Sequence, residues 1–121
     1  MYKLVILISE LAQDSGFDER WPDFLVQAEH MPGLLRESTS HIAKQLHGDN
    51  PLHMIHEMYF DSLNAAAEAL GSPAGQHAGN ILHEITQGRV ELFLADHNED
   101  LLSNIQDHQN AADSAASAGD E

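Results

Sequence analysis

Glu57 and Tyr59 stand two residues apart inside a run, 54–60, that is apolar apart from them and His56, and residues at i and i+2 of a strand project from the same face. A carboxyl group in a partly apolar cavity has its charged form disfavoured, so its pKa rises toward the range useful for proton transfer. Strand parity enlarges the set. His53, Ile55, Glu57 and Tyr59 fall on one face, and Met54, His56, Met58 and Phe60 on the other. In the run 90–95, Glu91, Phe93 and Ala95 oppose Val90, Leu92 and Leu94. Assigning the Met and Leu parities to a helix-covered core gathers Glu57, Tyr59, Glu91 and Phe93 on the other face. A carboxylate, a phenol and an aromatic wall together suit a small-molecule pocket. Glu57 is the expected proton-transfer group. The bland alternative is that Glu57 and Glu91 lie at a rim or pair across strands with Arg36 or Arg89.

A further strand within 34–47 contributes either Glu37, Thr39 and His41 or Arg36, Ser38 and Ser40 to the same cavity, and its polar pattern does not decide between them. The expectation adopted is the first set, with His41 beside Glu57 and Tyr59 as an acid/base. The expected catalytic groups are thus Glu57, Tyr59 and His41, and Glu37, Thr39, Glu91 and Phe93 complete the pocket.

Nine histidines raise the question of a metal or haem, but their spacing argues against it. His53 and His56 at i, i+3 on a strand point to opposite faces, and His77 and His83 lack the i, i+4 step that brings two helical ligands together. There is no cysteine for a disulfide, a thiolate nucleophile or a Cys-ligated centre. No glycine-rich phosphate loop and no nucleophile elbow occurs. No cofactor is expected.

The elements that position these groups follow from periodicity. The run 2–8 is apolar at both parities, as in a strand covered on both sides. Phe17, Trp21, Phe24, Leu25, Ala28 and Met31 recur at helical spacing as a core stripe, with a regular helix expected to start near Trp21 and hold Pro22 in its first turn. Met31, Pro32 and Gly33 end it. Strands 53–60 and 90–97 flank a helix in two pieces, the first capped by Asp61 and ended by Gly71. The second is restarted by Ser72 and Pro73, with Ala74, Ala78, Ile81, Leu82 and Ile85 buried. The order β-α-β-β-α-β is the split βαβ, or ferredoxin-like, α+β plan. Its helices cover one face of an antiparallel sheet, and the economical cover for the other apolar face is a second copy of the chain.

A chain of 121 residues fits one domain, expected over 1–97. An acidic extension, 98–121, follows, with a short helix around Leu101, Leu102 and Ile105 and then a low-complexity end. The net charge of −15 opposes phosphate backbones and anionic lipid surfaces, so neither nucleic acid nor membrane is an expected partner. The absence of a secretory or spanning pattern gives a cytoplasmic expectation.

The segments Phe17-Asp18-Glu19-Arg20-Trp21-Pro22-Asp23-Phe24-Leu25, Met31-Pro32-Gly33-Leu34, His56-Glu57-Met58-Tyr59-Phe60-Asp61-Ser62-Leu63 and Ser72-Pro73-Ala74-Gly75 resemble the EthD family, named from an operon for degrading ethyl tert-butyl ether. The resemblance covers most of 2–97. It implies a ferredoxin-like subunit whose bare sheet pairs with another to form a dimeric α+β barrel. Two functions are compatible with it. One is a homodimer that binds a small, mostly apolar organic molecule and acts on it by cofactor-independent oxygenation or proton transfer. The other is a non-catalytic binding or accessory subunit of an oxidising system.

Overall fold

The computed structural model describes residues 1–103, and the expected features of the acidic end beyond residue 103 lie outside the described residues. Seven elements follow in the order β1 (Tyr2–Ser9), α1 (Phe17–Ala28), β2 (Arg36–His41), β3 (Leu52–Phe60), α2 (Leu63–Gly71), α3 (Pro73–Thr86) and β4 (Val90–Asp96). The four strands form one antiparallel sheet in the order β2-β3-β1-β4, with the two most buried strands at its centre. This is the expected ferredoxin-like α+β plan. No helix among the described residues is long and apolar enough to cross a membrane.

Alternating burial along β1 and β3 reflects a sheet covered on one side only. Leu4, Ile6, Ile8, Met54, Met58 and Phe60 are buried and pack with Phe17, Phe24 and Ala28 of α1, Ala66 and Ala69 of α2, and Ala78, Leu82 and Ile85 of α3. The Met and Leu parities of β1 and β3 therefore face the helices. On β4, an edge strand, Leu92 and Leu94 share that side yet stay 54 % and 43 % exposed, and Phe93 on the opposite side is 47 % exposed.

Helix α1 begins at Phe17, four residues before the expected start, so Pro22 sits in its second turn. Proline there forfeits one backbone hydrogen bond, to the carbonyl of residue 18. The buried Phe17 ring, tilted at 33° against Trp21 with centroids 5.4 Å apart, holds the first turn by core packing instead. Gly16 precedes it at φ 81°, a left-handed conformation that glycine adopts without a Cβ clash.

The α2–α3 junction turns on one side chain. Ser62 rather than Asp61 caps α2, accepting from Ala65 N at 3.0 Å. Ser72 Oγ accepts from Gly75 N at 3.0 Å and donates to the Ala69 carbonyl at 2.6 Å, starting α3 with Pro73 in its first turn while closing α2. A Cβ on Gly75 would lie 2.1 Å from the Ala69 carbonyl oxygen, so this approach of two helices requires glycine.

Candidate functional site

The sheet register lays out the helix-free face as rows of four. Arg36, Tyr59, Lys3 and Ala95 form one row, Ser38, Glu57, Val5 and Phe93 the next, and Ser40, Ile55, Leu7 and Glu91 the third. Glu57, Tyr59, Glu91 and Phe93 thus share one face, as strand parity expects. Their surroundings differ from expectation. Lys3 Nζ lies 2.5 Å from Glu57 Oε2, so the cation that pairs with Glu57 is neither Arg36 nor Arg89. Arg36 instead stacks its guanidinium 3.7 Å from the centroid of the Tyr59 ring, a cation–π contact, and the His97 ring meets the same phenol edge-on at 5.1 Å. Glu99 holds this cover in place, 3.2 Å from Arg36 Nη2 and 2.9 Å from His97 Nε2. His97, and less strongly Arg36 and Lys3, keep the Glu99 carboxyl below the ordinary carboxylate range. Tyr59 is consequently buried although no helix covers its face. Around these polar groups Val5, Leu7, Ile55 and Phe93 make a continuous apolar surface.

The expected placement of Glu37, Thr39 and His41 beside Glu57 and Tyr59 is corrected by the same register. Glu37 pairs with Met58, Thr39 with His56 and His41 with Met54, so these three side chains lie on the helix side, and Arg36, Ser38 and Ser40 take the helix-free side. The strand reads Arg-Glu-Ser-Thr-Ser-His, with no apolar residue to mark which parity is buried. His41 is therefore not a partner of Glu57. His53 also leaves its expected face. Ile8 pairs with Met54 and Ser9 with Leu52, which leaves His53 as an extra residue in a β-bulge. Its ring lies edge-on to Phe17 at 5.7 Å and to His41 at 6.1 Å, and it lines a cleft of about 440 Å³ with Leu11, Ser15 and Phe17.

On the helix side the register exposes a group that sequence reasoning passed over. The His56 side chain is only 1 % exposed, in the core row between Thr39 and Ile6. Its Nδ1 lies 2.8 Å from Thr39 Oγ1 and its Nε2 3.1 Å from Glu37 Oε2. The faces of Trp21 and Phe24 meet the ring nearly at right angles, 85° and 82°, with centroids at 5.2 and 5.9 Å, so its plane is fixed. Burial pushes the His56 pKa down to about 4, against the weaker upward pull of Glu57. Burial, and then the neighbouring Glu29, push that of Glu37 up. At neutral pH the imidazole is uncharged and carries one N–H. With Glu37 ionised its carboxylate can only accept, and in that state Nε2–H donates to Glu37 and the Thr39 hydroxyl donates to Nδ1. The signal was present in the sequence: His56 has the parity of Met54 and Met58, and a histidine on a core parity needs two polar partners from neighbouring strands.

Among the described residues no group of three or more histidines or carboxylates is placed to hold a metal ion. What the two faces offer is different in kind. The helix-free face presents an apolar surface on which Glu57 is paired with Lys3 and Arg36 with Glu99, and the helix side holds a hydroxyl, an imidazole and a carboxylate in series.

No known family profile matches the chain, and no curated protein matches it. Solved structures do. An ethyl tert-butyl ether degradation (EthD) family protein from Bacillus halodurans matches at TM-score 0.74 with 20% identity, over 81% of this chain and 99% of that one. SnoaB, a cofactor-independent oxygenase from Streptomyces nogalater, matches at 0.63 with 13% identity over 84% and 96%. A dimeric ferredoxin-like protein of unknown function from Jannaschia matches at 0.61 with 17% identity over 79% and 97%. At these identities the likeness establishes that the chain has the ferredoxin-like fold that EthD family proteins and small cofactor-independent oxygenases share.

Proposed function

We propose that this protein is a homodimer in which the helix-free faces of two sheets meet and enclose a site for a small, mostly apolar organic molecule. The observation that carries this reading is the surface of Val5, Leu7, Ile55 and Phe93, which α1, α2 and α3 leave uncovered. A contiguous apolar patch of this kind is an interaction site. The dimeric ferredoxin-like protein among the similar structures supports this assembly, and the cofactor-independent oxygenase supports a catalytic use of the fold without a cofactor. Phe93 and Ile55 supply apolar walls, and Glu57, Tyr59 and Glu91 the polar groups. Glu57 is held by Lys3 and Tyr59 lies under Arg36, which favours orientation of a bound molecule over proton abstraction at this face.

The test joins assembly to ligand. Light scattering during gel filtration should give twice the chain mass, and native mass spectrometry of the freshly purified dimer should show a retained small molecule. Leu7→Asp places a carboxylate in the centre of the surface and should abolish both, because an unpaired charge would be buried. A wild-type monomer at micromolar concentration overturns the reading, as does a ligand that Leu7→Asp retains in full.

A further inference from the structure

We propose that Thr39, His56 and Glu37 form a proton relay through which the hydroxyl of the exposed Thr39 takes a proton from a small, uncharged acid, an activated C–H or a phenolic O–H, that reaches the helix side of β2. This site lies on the opposite face of the sheet from the one proposed above and does not depend on the dimer.

The three groups make an unbroken chain, 2.8 Å from hydroxyl to Nδ1 and 3.1 Å from Nε2 to carboxylate. Only its ends reach solvent: Thr39 is exposed and the Glu37 side chain is 23 % exposed, while His56 is sealed beneath Trp21 and Phe24. His56 cannot touch a ligand and acts by carrying the proton between its two neighbours. His41, next to Thr39 on the same face of β2, lies 6.1 Å from His53, which borders a cleft where Leu11 and Phe17 stand beside Glu10, Asp18 and Glu19, an acidic rim that favours an uncharged molecule over an anion.

Protons and charge balance along the chain. The substrate's proton passes to Thr39 Oγ1, the hydroxyl proton passes to His56 Nδ1, and the Nε2 proton passes to Glu37 Oε2. The products are the substrate anion, the other neutral tautomer of the imidazole and an uncharged carboxyl group. One negative charge has moved from Glu37 to the substrate, and no oxidant or metal takes part. The ring is never cationic, in keeping with a burial that disfavours the imidazolium and raises the affinity of Glu37 for a proton. Groups that bear on the relay from the packed elements are Glu29 at the end of α1 and Glu57 on β3.

The test uses nitrobenzisoxazole, whose ring opens when a base removes its carbon-bound hydrogen: the C–H electron pair becomes part of a nitrile, the N–O bond breaks, and a coloured phenolate is released. The wild-type protein should open it faster than buffer. Thr39→Val, which keeps the shape and removes the hydroxyl, and Glu37→Gln, which still accepts from Nε2–H but cannot take a proton, should each lose about 10²-fold. Thr39→Ser should restore the rate to within several-fold. Nitrogen NMR of the histidines gives a readout that a purely structural role would not move. The His56 ring should pass from the Nε2–H to the Nδ1–H tautomer as Glu37 protonates, and Glu37→Gln should stop that change. A wild-type rate equal to buffer overturns the relay. So do equal rates in wild type, Thr39→Val and Glu37→Gln, or a His56 ring whose tautomer does not respond to Glu37.

Discussion

A neutral imidazole in a hydrophobic core makes stability depend on pH with a definite sign. The folded-state pKa of His56, about 4, lies below the ordinary value of 6.5. Above pH 6.5 the ring is neutral in both states. Between 6.5 and 4 the unfolded chain binds a proton that the folded chain does not, so stability falls as pH falls through that window and levels off below it. The size is on the order of 3 kcal/mol. Glu37 acts in the opposite sense, since its raised pKa means that protonation relieves a cost of folding as pH drops. Denaturant unfolding at stepped pH should therefore show a wild-type decline between pH 6.5 and 4 that is much flatter in His56→Leu. Equal slopes in the two proteins would show that His56 is not buried neutral. At this scale the sequence was legible in part. Glu57, Tyr59, Glu91 and Phe93 could be placed on one face because their strands carry apolar markers, but their immediate partners, Lys3 and Arg36, come from other strands.

Element boundaries follow from caps and close approaches. Ser72 satisfies the start of α3 and a carbonyl at the end of α2 with a single hydroxyl, and Gly75 lets the two helices meet. Ser72→Ala should cost about 1 kcal/mol, the usual value of an N-cap. Gly75→Ala should cost more, on the order of 1–3 kcal/mol, because the carbonyl of Ala69 belongs to backbone and must shift as a unit. Thermal and denaturant unfolding check both, and a Gly75→Ala protein as stable as wild type would mean that the junction relaxes freely. Strand β2 shows the limit of reading an element from its own residues. Its polar hexapeptide carries no parity signal, so its orientation is decided by pairing with β3, and with it the placement of Glu37, Thr39 and His41.

For the molecule as a whole, charge and apolar surface act against each other. Two copies that each carry −15 repel, while Val5, Leu7, Ile55 and Phe93 attract by burial. Salt screens the first and leaves the second. Raising ionic strength from ~0.01 to ~0.15 M shortens the screening length from about 30 to about 8 Å, so the dimer dissociation constant should fall several-fold. Sedimentation equilibrium across that range measures it. A constant that rises with salt would point to an interface built on opposite charges, contrary to the apolar face proposed here.

The sequence by itself determined the order of elements, the ferredoxin-like class, the helix-facing parity of β3, the second-helix break at Ser72 and the existence of an apolar face without helices. All of these rest on periodicity, caps and turns, which are properties of neighbouring residues. Only the tertiary structure decided the face of β2, the bulge at His53, the pairing of Lys3 with Glu57 and the Thr39–His56–Glu37 series. These contacts join residues 54, 17 and 19 positions apart, or hang on a one-residue shift in register. A polar edge strand can adopt either register without exposing an apolar side chain, so no local pattern selects between them.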